Sequence, residues 1–293
     1  MAAPREDKAG SPWTTHRRRA TVLCERLPFA AEILSLYLAL LDVWDEGWGL
    51  ARENRPAPSH LPQWTAGRVL PMVVKATEAA GPEPLASATR DLLEAGEVEG
   101  LLAAWLAGEE LSPVEGYLAR ASLRAPLLAL DGDAGTACAD DPSPRGGRRC
   151  PHCAGPPQLS FRSNADEPLV SGRRHLLCAR CGQSWSYSSS ACPSCGETAG
   201  SRRTVYSERR DGPVVGRDSG DGASTDAAPG EDVPMFPHIR IDACATCERY
   251  VIDVDLSRDS RAVPEVDELA AVPLDLYAAE HGLSKITPNL MGF

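Results

Sequence analysis

The sequence has no apolar run approaching the ~18–20 residues that a membrane-spanning helix needs. Its most apolar stretch, Leu27 to Leu41, is interrupted by Glu32 and reads as an amphipathic helix. It has no Gly-rich phosphate loop and no Ser/His/Asp-type nucleophile set. His16, His60, His175, His238 and His281 fall at no ligating or catalytic spacing, so each reads as ordinary surface or core. The N-terminus resembles a twin-arginine signal only in Arg17-Arg18-Arg19. Glu25, Arg26 and Glu32 stand where an apolar signal core belongs, and no small-residue cleavage site follows. The expectation is a protein kept in the reducing cytoplasm, where paired cysteines serve as ligands or redox groups rather than structural disulfides.

The net charge of −11 conceals an uneven distribution, because residues 145–210 hold eleven arginines against four acids while both flanks are acidic. Arg148, Arg149, Arg173, Arg174, Arg180, Arg202 and Arg203, with Trp185 and Tyr187 among them, suggest a basic, aromatic face of the kind that releases counter-ions on phosphate. Nucleic-acid binding through this Arg-rich block is therefore the alternative function.

Eight of the ten cysteines form four Cys-x-x-Cys pairs: Cys150/Cys153, Cys178/Cys181, Cys192/Cys195 and Cys244/Cys247. The gaps between pairs are 24, 10 and 48 residues. The long gaps allow a hairpin excursion, and the short one suits a strand joining two modules. This favours the groupings Cys150/Cys153/Cys178/Cys181 and Cys192/Cys195/Cys244/Cys247, although an interleaved arrangement uses the same ligands. Each group offers four thiolates to one tetrahedral zinc or iron ion, two ions in all. Pro151 and Pro193 fix the first turn after a leading cysteine, and Gly182 and Gly196 supply positive φ after a trailing one. Cys150-Pro151-His152-Cys153 also resembles a thiol-oxidase tetrapeptide, but Pro156-Pro157 follows where that chemistry needs a helix N-terminus. Four thiolates close a coordination sphere and leave no position for a catalytic water. Cys24 and Cys138 read as non-ligands.

The remaining pattern sets an α+β organisation. Residues 1–22 read as a disordered N-terminus and 23–130 as an all-α domain. Within it, Ala30, Leu34, Tyr37, Leu41, Trp44 and Trp48 share one helical stripe. A second helix is expected over Gln63–Ala80, kinked at Pro71. Others follow over Leu85–Glu94 and Val98–Gly108. Ser112-Pro113-Val114-Glu115 is a capping box with Pro at the first helical position. Residues 131–149 read as a linker, 150–191 and 192–256 as two tandem zinc-ribbon modules, with a disordered insertion at 211–234. Residues 257–293 form a short helical tail, interrupted at Pro273 and stopped at Gly282, its apolar residues packed on the ribbons and Asp267, Glu268, Asp275 and Glu280 facing water.

In this order, Cys150-Pro-His-Cys-Ala-Gly-Pro-Pro, Leu177-Cys-Ala-Arg-Cys-Gly-Gln-Ser-Trp185, Cys192-Pro-Ser-Cys-Gly, Ala243-Cys-Ala-Thr-Cys and the tail from Glu265 to Gly282 resemble the formate dehydrogenase accessory protein family, FdhE. The resemblance spans about residues 25–293. It implies two rubredoxin-like modules whose eight cysteines hold iron or zinc. It also implies a cytoplasmic, non-catalytic maturation factor that associates with the catalytic subunit of formate dehydrogenase, without membrane insertion. Ala154 and Glu248 depart from the glycine of the simplest rubredoxin knuckle.

Overall fold

A computed structural model describes residues 10–130, 147–163, 172–208 and 234–292. Seven helices come first: α1 (Thr14–Arg26), α2 (Ala31–Asn54), α3 (Leu61–Arg68), α4 (Leu70–Ala80), α5 (Glu83–Ala95), α6 (Val98–Ala107) and α7 (Pro113–Leu130). The expected stripe on α2 is real: Ala30, Leu34, Tyr37, Leu41 and Trp44 are buried. The capping box forms reciprocally, with Ser112 N–H donating to Glu115 Oε2 at 2.9 Å and Glu115 N–H to Ser112 Oγ at 3.4 Å.

Two expectations need correction here. The single helix over Gln63–Ala80 is two helices, because Pro71 in the first turn of α4 starts a new helix after Val69 rather than bending an old one. Disorder does not extend to residue 22, since α1 occupies Thr14–Arg26 and buries Trp13, Ala20 and Leu23. Its basic run hid this, because Arg19 satisfies its charge inside the protein rather than in water. Positions 1–9, the linker positions 131–146, Cys138 and the insertion positions 211–233 lie outside the described residues.

The second half forms one mixed sheet from β1 (Pro157–Arg162), β2 (Arg174–Cys178), β3 (Ser184–Ser186), β4 (Arg203–Ser207), β5 (Ile239–Cys244) and β6 (Arg249–Asp255), in the order β3-β2-β1-β6-β5-β4. Each module is a three-stranded antiparallel unit built to one plan: Cys-x-x-Cys, strand, excursion, strand, Cys-x-x-Cys, strand. The units join where the first strand of one, β1, pairs in parallel with the last strand of the other, β6, aligning Ser160 with Asp253. A short strand, β7 (Ser284–Lys285), adds in parallel beside β6.

Asp253 closes this seam. It is fully buried and receives Ser160 Oγ at 2.5 Å, Arg162 Nε at 3.0 Å and Arg240 Nε at 2.8 Å. Burial alone raises its carboxyl pKa, but Arg240, Arg174 and Arg162 outweigh that and push it down to about 2. Glu265 behaves likewise: burial raises it, and Arg124 foremost brings it to about 2. A carboxylate with a lowered folded-state pKa stabilises the fold above its unfolded value of roughly 4, and that contribution is lost as pH falls toward about 2. Unfolding free energy is therefore expected to decline through this acid window by about 2 kcal/mol per group. Chemical denaturation at several pH values, repeated with Asp253→Asn, checks it; an unchanged slope in the variant counts against the assignment.

The tail supplies α8 (Pro264–Ala270) and α9 (Val272–Glu280), split at Pro273 as expected, with Gly282 at φ 72° ending the second. α8 is wedged between α1 and α2 on one side and β1 and β6 on the other. Its acids do not face water, which corrects the reading of the tail. Asp267, Glu268 and Asp275 are all buried, and Glu280 alone of the four is exposed. Asp267 accepts from Arg19 Nε at 3.0 Å, lies 2.8 Å from His238 Nε2, and accepts from Val263 N–H at 2.8 Å. Glu265 pairs with Arg124 at 2.7 Å, and Lys285 bridges Glu268 at 2.9 Å and Asp275 at 3.0 Å. Each buried carboxylate has a buried cation, which is how a helix acidic on nearly every turn can sit in a core.

Candidate metal centres

The structure brings the eight paired cysteines into two groups, Cys150/Cys153/Cys178/Cys181 and Cys192/Cys195/Cys244/Cys247, with the sulfurs of each group within 4.8 Å of one another. Within the groups, Cys150 and Cys181 sulfurs lie 3.7 Å apart, Cys153 and Cys178 3.5 Å, Cys192 and Cys247 3.8 Å, and Cys195 and Cys244 3.7 Å. A tetrahedron with metal–sulfur bonds of ~2.3 Å has edges of ~3.8 Å. The thiols are free rather than bonded in pairs, and a disulfide would need ~2.05 Å. Both cages thus fit a four-coordinate thiophilic ion in donor type, number and spacing. The interleaved grouping is not the one formed.

Four knuckles with identical closure build the cages. After each trailing cysteine the next residue has positive φ and donates its N–H to the carbonyl of the leading cysteine. The pairs are Ala154 to Cys150 at 2.9 Å, Gly182 to Cys178 at 3.1 Å, Gly196 to Cys192 at 2.9 Å and Glu248 to Cys244 at 2.8 Å. Ala154 and Glu248 both sit at φ 56°, so the two non-glycine positions adopt the glycine geometry despite its steric cost of ~1–2 kcal/mol each. Backbone N–H groups also turn to sulfur: Arg180 to Cys178 Sγ at 3.3 Å and Ser194 to Cys192 Sγ at 3.4 Å. Cys150-Pro-His-Cys153 opens into β1, not a helix, so the thiol-oxidase geometry is absent there. Cys24 lies in α1 away from both cages, with Sγ 3.7 Å from the Ala31 carbonyl.

The surroundings of the two cages differ. All four sulfur residues of the first are at most 1% exposed. Arg180 Nη1 donates to the Cys153 carbonyl at 3.0 Å, and the Arg124 guanidinium of α7 covers Gly182 so closely that a Cβ there would meet Nη1 at 1.2 Å. Gly155 leaves equally little space, its notional Cβ falling 2.7 Å from Cys178 Sγ. Sequence reasoning missed Gly155, Arg124 and Arg180 as cage-supporting residues; no local pattern distinguishes them. In the second group, Cys192 and Cys244 are buried, Cys247 is half-buried and Cys195 is exposed.

The basic, aromatic face does not assemble. Arg174 is buried and pairs with Asp242 at 2.6 Å, Arg180 is buried, and Arg203 is bound to Asp242. Arg148 donates to the Ser194 carbonyl at 2.7 Å. Arg149, Arg173 and Arg202 are exposed. Trp185 is buried with its Nε1–H on the Gly147 carbonyl, and the Tyr187 hydroxyl is on the Cys192 carbonyl. These groups were legible as charge and aromaticity, but they are spent on joining strands and modules. Among the described residues, no helix is long and apolar enough to cross a membrane.

Known proteins share this arrangement. The family described as "FdhE, C-terminal domain" matches residues 228–291. A protein FdhE homolog of Aquifex aeolicus is 30% identical over 144 residues, which is 49% of this chain and 41% of that protein. The homolog of Pseudomonas putida is 28% identical over 200 residues, 68% of this chain and 52% of that protein. The matches thus span about half the length of these curated relatives or less. The crystal structure of the FdhE protein from Pseudomonas aeruginosa superposes with a TM-score of 0.61 over 98% of this chain and 97% of that one, at 21% identity, which is a likeness of fold. Residues 228–291 thus match the FdhE C-terminal domain directly, and the chain is similar in sequence and in fold to FdhE proteins.

Proposed function

We propose that this protein is a non-catalytic accessory factor that binds the catalytic subunit of formate dehydrogenase in the cytoplasm and is needed for that enzyme's assembly or activity. In this reading Cys150, Cys153, Cys178 and Cys181 hold one iron or zinc ion, and Cys192, Cys195, Cys244 and Cys247 another. The observation that carries it is the pair of four-thiol cages in one sheet beneath a helical domain, in a chain whose fold superposes on that of an FdhE protein along nearly its whole length. Bound metal would crosslink knuckles distant in sequence and, with iron, supply a one-electron couple. Closed thiolate spheres favour a scaffold over a hydrolytic centre. The protein's own residues orient the thiolates, shield the first cage and anchor it to α7 and α8.

The test is anaerobic purification of the tagged full chain from its native host, followed by metal analysis and mass spectrometry of co-purifying proteins. About two metal ions per chain and an enriched formate dehydrogenase catalytic subunit are expected. Eight free thiols without metal would sink the metal assignment; metal without that partner would sink the accessory role. Salt-sensitive retention on RNA or DNA, abolished by neutralising Arg149, Arg173 and Arg202, would instead favour the nucleic-acid reading.

A further inference from the structure

We infer that the two cages divide the labour: the first retains its ion, and the second is an exchange site that gives up or accepts a thiophilic metal ion through Cys195. This rests on the metal assignment proposed above and goes beyond it in assigning different behaviour to two chemically identical ligand sets.

A thiolate-bound ion exchanges when an incoming ion can reach a sulfur and draw it away stepwise. In the first cage no sulfur is reachable. Its four cysteines are at most 1% exposed, and it lies in the continuous core shared by helices and sheet. Arg124 caps one knuckle, Arg180 ties another, and Gly155 admits the backbone against two sulfurs. Release there requires displacing the Arg124 guanidinium that α7 lays over the Gly182 knuckle.

The second cage is less closely covered: Arg148 donates to the Ser194 carbonyl at 2.7 Å, but a Cβ at Gly196 would come no nearer than 3.8 Å to the Arg148 side chain. It sits where the β5–β6 turn meets the knuckle preceding β4. Cys195 is exposed and Cys247 half-buried, while Cys192 and Cys244 are buried. Two acids lie beside it. Glu197 accepts from Thr246 Oγ1 at 2.8 Å and bridges the two knuckles, and Glu248 is exposed just after Cys247. Exchange is a ligand substitution: the incoming divalent ion forms a bond to the Cys195 sulfur as the bond to the resident ion breaks. Cys247, Cys244 and Cys192 follow, and the resident ion leaves with the same charge. No electron or proton is consumed. Exposure of the thiolate is the property that decides such reactivity.

The experiment uses the full chain loaded with two zinc ions, treated with one equivalent of cadmium and followed by native mass spectrometry. A one-zinc, one-cadmium species should accumulate, with the second zinc leaving at least about tenfold more slowly, the scale on which supporting residues alter metal retention. Cys195→Ser should abolish the fast component, and Cys153→Ser should leave it. Should Cys153→Ser not fold, iodoacetamide labelling of the zinc-loaded wild type gives the same answer, with peptides carrying Cys195 and Cys247 modified before those carrying Cys150 to Cys181. Simultaneous replacement of both ions, a fast component surviving Cys195→Ser, or prior labelling of the first cage each overturns the inference and leaves the metal assignment standing. A chain that takes up no metal overturns both.

Discussion

On the metal assignment proposed above, Gly155→Ala is expected to lower bound metal from two ions per chain to one and to unfold the module around the first cage, with all eight thiols still present. The added Cβ would lie 2.7 Å from Cys178 Sγ, 2.9 Å from Arg180 Cβ and 3.2 Å from Cys153 Sγ. None of these is the free end of a flexible side chain; two are sulfurs of the first cage. The knuckle must move, and the tetrahedron opens. Structural zinc in small thiolate sites contributes on the order of 10 kcal/mol to folding, comparable to a domain's whole stability of ~5–15 kcal/mol. Here the cage is continuous with the core between helices and sheet, so the loss should spread to both. Metal stoichiometry and thermal unfolding in excess zinc check it. Gly200→Ala is the matched control, since a Cβ there meets nothing within 4 Å. Two bound ions and a wild-type melting temperature in Gly155→Ala would refute the steric account.

Asp267→Ala should cost about 3 kcal/mol, the lower part of the range for breaking a buried ion pair. Asp267 is 1% exposed and joins Arg19 of α1, His238 before β5 and the backbone before α8. Removing it leaves the Arg19 guanidinium and the His238 ring without their shared carboxylate, beside a cavity of about 240 Å³ that both line. Arg19 keeps Asp259 at 3.0 Å, which is why the upper part of the range does not apply. The loss should appear as a lower denaturant midpoint. A double-mutant cycle with Arg19→Met should show the two residues strongly coupled, because an apolar side chain tolerates the missing carboxylate. A loss under about 1 kcal/mol, or additive single effects, would mean that the junction is wetter than its burial implies.

Most of the secondary structure was legible because its signals are local. The α2 stripe, the Ser112–Glu115 box and the Pro273 break depend on neighbours within a turn or two. Cage membership was legible for a related reason: gap lengths restrict which knuckles can meet. The misread charges share one cause. Arg19, Arg174, Arg203, Asp267, Glu268 and Asp275 read as solvated surface, because composition records a charge without recording its partner. The partners lie far along the chain, Asp267 being 248 residues from Arg19 and Asp242 39 residues from Arg203.

The sequence by itself determined the chemistry: eight thiols in knuckles that close by short-range turns, a helical first half, and a ligand set suited to zinc or iron. Only the tertiary structure decided that the two modules merge through the β1–β6 seam, that the acidic tail helix is an internal strut, and that one cage is sealed while the other opens to water. The physical reason is that a thiolate's affinity is carried by its own atoms, whereas exposure and charge compensation are carried by whatever packs against them.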